Sequence, residues 1–127
     1  MGHKFFGTDG IRGPYGGDLI SEAFASHLAR GMVEYLRREK AVASPHVIIG
    51  RDPRYSGKAL QNAFAEAFMQ AGGTVSLLGI VPTPVVAFAV RHYGAALGLA
   101  ITASHNPSSD NGFKFFDEKG SKFSKQA

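Results

Sequence analysis

The stretch Ile101-Thr102-Ala103-Ser104-His105-Asn106-Pro107-Ser108-Ser109-Asp110-Asn111-Gly112-Phe113-Lys114 is crowded with hydroxyls, a histidine, an amide pair and a glycine. Ser104 has the chemistry of a nucleophile, and His105 stands beside it. A serine-hydrolase arrangement fits poorly. Adjacent residues seldom present their side chains to each other for proton transfer, and the chain has neither a G-x-S-x-G elbow nor an oxyanion glycine pair. A purely conformational reading also stands, since Asn-Pro and Asp-Asn-Gly are common turn formers and Ser108 and Ser109 can cap backbone groups. The acidic residues Asp9, Asp52 and Asp110 are spread out and make no convincing metal cage.

Four apolar runs read as strands that could position this stretch. Val47-Ile48-Ile49 follows Pro45 and stops at Gly50-Arg51-Asp52-Pro53, and Thr74 to Leu78 follows Gly72-Gly73. Ala95 to Thr102 and Phe113 to Phe116 are the others. Helical spacing fills the gaps. Phe24, Leu28, Met32 and Leu36 recur every fourth residue behind Ser21, a suitable N-cap. Leu60, Phe64, Phe68 and Ala71 do so behind Ser56 and close at Gly72. Thr83-Pro84 reads as a cap and a proline at the first helical position, with Val85, Phe88 and Ala89 carrying the apolar stripe to Gly94.

Strands joined through helices of this length imply crossover connections and a mostly parallel sheet covered on both faces. The last strand returns without a helix and is expected to be antiparallel to the one before it. The expected fold class is therefore α/β: one domain over residues 1–127, a three-layer α/β/α sandwich with a mixed, mostly parallel sheet. The connection at residues 104–112 is longer than the usual hairpin, and long loops at strand C-termini of open α/β sheets are where ligands tend to sit.

Composition narrows the function classes. The 127 residues are 44% apolar and 19% charged, with ten Phe and four Tyr, enough for one real core. No apolar run approaches the length of a membrane span, and Met1 to Phe6 lacks a signal-peptide core. The absence of cysteine rules out disulfides and thiolate metal sites and agrees with a cytoplasmic location, the compartment expected here. Net charge is +4, but the basic residues are scattered and carry no nucleic-acid motif. A small phosphorylated ligand suits that charge better than a nucleic acid or a membrane.

Thr102-Ala103-Ser104-His105-Asn106-Pro107 resembles the active-serine signature of the alpha-D-phosphohexomutase family, and Asp110-Asn111-Gly112-Phe113-Lys114-Phe115-Phe116 continues as that family does. Phe6-Gly7-Thr8-Asp9-Gly10-Ile11-Arg12-Gly13 is similar to the opening motif of the phosphoglucosamine-mutase branch. Gly50-Arg51-Asp52-Pro53-Arg54-Tyr55-Ser56-Gly57 and Pro82-Thr83-Pro84 fall between them in the family's order.

The resemblance implies that Ser104 bears a phosphoryl group and passes it to and from a sugar phosphate through a bisphosphate intermediate. It implies Mg²⁺, with an oxygen of phosphorylated Ser104 as one ligand. Lys114 and Arg12 would face the transferring phosphate, Arg12 from a glycine-bounded loop. His105 would contact substrate or place the serine, and Asn106 would hold the loop's shape. Thr8 and Arg51 would contact phosphate or brace the loop. The implied reaction interconverts glucosamine 6-phosphate and glucosamine 1-phosphate. A phosphoglucomutase, a phosphomannomutase or a non-catalytic phosphosugar-binding module remains open. The family's metal loop, sugar-recognition loop and phosphate clamp belong to three further domains that do not follow here. The chain is therefore expected to be a first domain, inactive alone, with its own downstream domains and a possible second copy as partners.

Overall fold

A computed structural model describes residues 10–123. Its element order is β1 (Ile11–Pro14), α1 (Glu22–Lys40), β2 (His46–Arg51), α2 (Gly57–Gln70), β3 (Thr74–Ile80), α3 (Thr83–Tyr93), β4 (Leu97–Ile101) and β5 (Asp110–Phe116). The five strands form one sheet in the order β1-β5-β4-β2-β3. β2 pairs parallel with β3 and β4, whereas β5 pairs antiparallel with β4 and β1. Four strands thus share one direction and β5 opposes them, which is the mixed, mostly parallel sheet expected of α/β.

Helices α1 and α2 cover one face. Leu28, Met32, Val33 and Leu36 of α1 and Leu60, Phe64 and Phe68 of α2 are buried with Val47, Ile49, Leu97, Leu99, Phe113 and Phe115 of the sheet. Phe64 and Phe68 stack with centroids 5.7 Å apart and are wholly buried. Burial of that kind stabilises by about 1.5–3 kcal/mol per side chain. Ser21 caps α1 as expected, accepting from the Phe24 N–H at 3.2 Å. Ser56 stands before α2 but makes no cap bond, because its hydroxyl accepts from Asn111 instead.

The other face is covered by α3, and here the sequence reading needs correction. The core-facing residues of α3 are Val86, Ala89 and Val90, while Val85 and Phe88 are exposed. Glycines in the sheet select that face. A Cβ at Gly50 would lie 2.7 Å from Val86 Cγ2, and one at Gly98 would lie 2.6 Å from Val90 Cγ2. Only hydrogen fits beneath those valines. Nor is Thr83 the cap: Pro82 holds that position with Thr83 and Pro84 inside the first turn.

β1 is the second departure. The sequence suggests a glycine-bounded loop around Arg12, but residues 11–14 form a strand because β5 supplies them with a partner, Ile11 facing Phe113 and Arg12 facing Gly112. Gly10 makes the entry possible. Its φ is +76°, and a Cβ there would sit 2.3 Å from the Phe113 carbonyl oxygen.

Candidate active site

The connection from β4 to β5 is the loop that carries Ser104. It leaves the sheet at the C-terminal end of β4, next to the C-terminal end of the parallel neighbour β2. That adjacency places Asp52 and Arg54, just past β2, against residues some fifty positions later in the chain.

Ser104 is exposed and has φ +57°, in the left-handed region. The other non-glycine residue in that region among the described residues is Ala41, and it has an ordinary reason: it caps the C-terminus of α1. Ser104 caps no helix. Backbone strain of this kind costs about 1–3 kcal/mol and persists where surrounding structure over-determines it.

The over-determination is visible in hydrogen bonds. The Ser104 N–H donates to Thr102 Oγ1 at 2.9 Å, and that hydroxyl donates to Asp52 Oδ2 at 2.6 Å. Asp52 Oδ2 also accepts from Arg54 Nε at 2.9 Å, with Oδ1 taking the Arg54 N–H at 3.2 Å. Arg54 Nη1 donates to the carbonyls of Asn106 (3.0 Å), Pro107 (2.7 Å) and Asp110 (3.3 Å), and its Nη2 to the Ser104 carbonyl. Asn106 closes the loop on itself: its N–H reaches the Ala103 carbonyl at 3.0 Å and its Nδ2 reaches Asp110 Oδ2 at 3.1 Å.

Arg12 arrives from the neighbouring strand. Ile11 and Phe113 face the main core, so the alternation of strand side chains puts Arg12 and Lys114 together on the opposite face. Arg12 Nη1 donates to Asn106 Oδ1 at 3.3 Å and to the Ala103 carbonyl at 3.5 Å. Its Nε and Nη2 make no hydrogen bond among the described residues, which leaves donors for an anion. Lys114 is half-buried, pairs in register with Ala100, and forms no ion pair among the described residues. Gly112 lets the strands close here, since a Cβ would meet the Ile11 oxygen at 2.4 Å and Arg12 Cβ at 2.9 Å.

The structure therefore gathers Ser104, Asn106 and Arg12 at one loop, with Lys114 on the strand leaving it. His105 is exposed on the loop and has no hydrogen-bond partner among the described residues. Arg51 stands apart. Its stem packs at the start of α2, where a Cβ at Gly57 would meet Arg51 Cδ at 3.3 Å, and its buried Nε has no hydrogen-bond partner among the described residues. Thr8 lies outside the described residues. The sequence reading missed Asp52 and Arg54 as loop-holding residues. An Asp-Pro-Arg placed directly after a strand was the available signal, but only the β2–β4 pairing shows what it touches.

Near the loop, Tyr15 donates its N–H to the Ser109 carbonyl at 3.1 Å and its hydroxyl to Glu22 Oε2 at 2.6 Å. That hydroxyl hydrogen bond, with partial burial and the nearby Glu22 charge, raises the Tyr15 phenol above its ordinary value. The carboxylates beside Ser104 are already engaged, Asp52 by Thr102 and Arg54, and Asp110 by Asn106. No cluster of three or more metal-ligating His, Asp or Glu occurs among the described residues. No described helix is long and apolar enough to cross a membrane.

Residues 3–127 match the family model described as phosphoglucomutase/phosphomannomutase, alpha/beta/alpha domain I. The phosphoglucosamine mutase of Polaromonas naphthalenivorans (strain CJ2) is 48% identical over 122 residues, covering 96% of this chain and 27% of that protein. The phosphoglucosamine mutase of Bordetella petrii is 44% identical over 122 residues, covering 94% of this chain and again 27% of its relative. The chain thus spans about a quarter of the length of these curated relatives. Among solved structures, a Thermus thermophilus protein provisionally named a phosphomannomutase superposes with TM-score 0.83 at 36% identity, covering 94% of this chain and 27% of that one. A phosphoglucomutase/phosphomannomutase family protein from Burkholderia thailandensis gives TM-score 0.75 at 31% identity, covering 93% of this chain and 26% of that one. With its sheet order, its serine loop and these matches in agreement, the chain belongs to the alpha-D-phosphohexomutase family as the N-terminal α/β/α domain I.

Proposed function

We propose that this domain carries the phosphoryl group of a hexosamine phosphate mutase on Ser104. The observation that carries the reading is the left-handed, exposed Ser104, held at the strand end by a hydrogen-bonded loop that Arg12 also reaches. The similarity to phosphoglucosamine mutases supports glucosamine 6-phosphate and glucosamine 1-phosphate as the sugar pair.

In the forward half-reaction the bond between phosphorus and Ser104 Oγ breaks as phosphorus bonds the free hydroxyl of a sugar monophosphate. The proton lost by the sugar hydroxyl is balanced by the one Ser104 Oγ takes up as it becomes a free hydroxyl, and Lys114, on the strand leaving the loop, is the candidate to relay it. The resulting bisphosphate turns around, and its other phosphate returns to Ser104 by the reverse step. Arg12, with donors to spare, stabilises charge on the phosphoryl oxygens in flight. Asn106 keeps Arg12 and the loop in register through its amide. His105 is exposed beside the serine and is free to meet the sugar. In the same reading Thr8 is assigned to phosphate contact or bracing, and Arg51, set apart from the loop at the start of α2, to bracing.

A divalent cation such as Mg²⁺ fits this donor set only as a shared ion. The neighbouring carboxylates are spent, so the chain offers it an oxygen of phosphorylated Ser104 and the rest of its ligands come from elsewhere in the protein. When bound, it neutralises charge on the phosphoryl group. The remaining three quarters of the relatives' length supports downstream domains as partners that complete the cleft, and a cytoplasmic enzyme follows from the same reading. A hexose substrate is the second reading, favoured by the solved relatives named for phosphomannose and phosphoglucose chemistry.

The test is the intact mass and peptide map of the protein made in its own cells. Phosphate on Ser104, together with loss of isomerisation in Ser104→Ala, supports the reading. A bare Ser104 and an active Ser104→Ala variant would overturn it.

A further inference from the structure

We propose that Arg54 is the positioning residue for the phosphoryl-carrying serine, acting on the loop's peptide groups and not on the phosphate; this rests on the phosphoserine reading of Ser104. The Arg54 side chain is 10% exposed, and each of its three nitrogens is engaged. Nε is held by Asp52, and the two terminal nitrogens share the carbonyls of Ser104, Asn106, Pro107 and Asp110. A guanidinium so engaged has little left for a substrate phosphate.

Its effect on the loop follows from peptide geometry. In a trans peptide the carbonyl and the next residue's N–H point in opposite directions. With the Ser104 and Pro107 carbonyls turned onto Arg54, the N–H groups of His105 and Ser108 point away from it. Neither N–H has a hydrogen-bond partner among the described residues. The His105 N–H belongs to the residue immediately after the serine, and it is a donor for a phosphoserine oxygen. Four inward carbonyls would also repel one another without a buried cation among them. Arg54 therefore orients the donor side of the loop toward the phosphate and offsets the charge on the acceptor side. Asp52 supports both ends of the device, receiving Arg54 Nε and the Thr102 hydroxyl that in turn accepts the Ser104 N–H.

The experiment uses the complete polypeptide as its gene encodes it, with Arg54→Lys, Arg54→Ala and Ser104→Ala compared by hexosamine phosphate isomerisation and ³¹P NMR. Arg54→Lys keeps the charge but cannot fork to several carbonyls. Its kcat is expected to fall by roughly 10²-fold, as for misplacement of a reacting group by about 1 Å, with KM changed only a few-fold. The phosphoserine resonance is expected to titrate at higher pH than in the unsubstituted protein, since a lost N–H donor disfavours the dianion. Added guanidinium ion at millimolar concentration is expected to restore part of the turnover of Arg54→Ala. Unchanged kcat and an unchanged ³¹P titration in Arg54→Lys, with Ser104→Ala inert, would overturn the assignment and leave the phosphoserine reading intact. An active Ser104→Ala variant would overturn that reading, and the assignment with it. If both Arg54 variants fail to fold, Asp52→Asn takes their place, and an undiminished kcat there overturns the assignment.

Discussion

Asn111, wholly buried in β5, donates its side-chain amide to Ser56 Oγ at 2.8 Å and so ties the strand leaving the serine loop to the entrance of α2. Its Oδ1 also accepts the Gly112 N–H at 2.9 Å. Asn111→Ala is expected to destabilise the fold by about 1–3 kcal/mol, because it strands the Ser56 hydroxyl and the Gly112 N–H without partners. Urea unfolding measures the loss, and a double-mutant cycle with Ser56→Ala should show positive coupling. Additive losses would mean that the pair is not a unit.

Gly10 offers a sharper test of what holds Arg12 in place. Its positive φ and the 2.3 Å approach of a would-be Cβ to the Phe113 oxygen leave no room for a methyl group. Gly10→Ala is expected to cost about 1–3 kcal/mol and to break the Ile11–Phe113 end of the β1–β5 ladder. Amide exchange at residues 11–14 should rise well before exchange in β2 or β4 does. Equal protection in both proteins would contradict the argument.

Ser104 sets conformational strain against chemistry. Ser104→Gly and Ser104→Ala both remove the hydroxyl, but only glycine is at ease at φ +57°. The glycine variant is expected to be the more stable of the two by about 1 kcal/mol, although glycine normally weakens a fold through the unfolded state. Thermal or urea denaturation gives the ordering. A more stable alanine variant would mean that the left-handed geometry is not held in solution.

Tyr15 makes an alkaline prediction. Its phenol is raised by the hydrogen bond to Glu22, so the fold favours the neutral form. The stabilisation is complete below the unfolded phenol pKa of about 10 and is lost as pH rises through the higher folded value. The stability advantage of the parent protein over Tyr15→Phe should shrink as pH rises through the folded phenol value. Absorbance titration of the phenol should show an upward shift that Glu22→Gln makes smaller.

The elements with strong periodicity were legible from sequence. Phe64 and Phe68 announced α2, and Ser21 announced the start of α1. For α3 the sequence places Ala89 rightly but Val85 and Phe88 wrongly, because residues 85–90 are apolar all round and periodicity has no face to choose. The choice is made by Gly50 and Gly98 on other elements. β1 was missed because Ile-Arg-Gly-Pro has no alternation of its own and becomes a strand only through β5. The site shows the same division. Ser104, Asn106 and Arg12 stood out by motif, whereas the grip of Arg54 on four carbonyls depends on two strand ends meeting.

The order β1-β5-β4-β2-β3 makes the first strand the neighbour of the last. Arg12 thus waits on a ribosome-bound chain for residues about a hundred positions later before its strand has anything to pair with, a high-contact-order closure that local folding cannot anticipate. Until β5 emerges, Arg12 has no ladder and the Ser104 loop has no second anchor. The order of synthesis thus sets when the loop takes shape: a nascent chain has nothing to hold Ser104 from both sides until the sheet has closed around it.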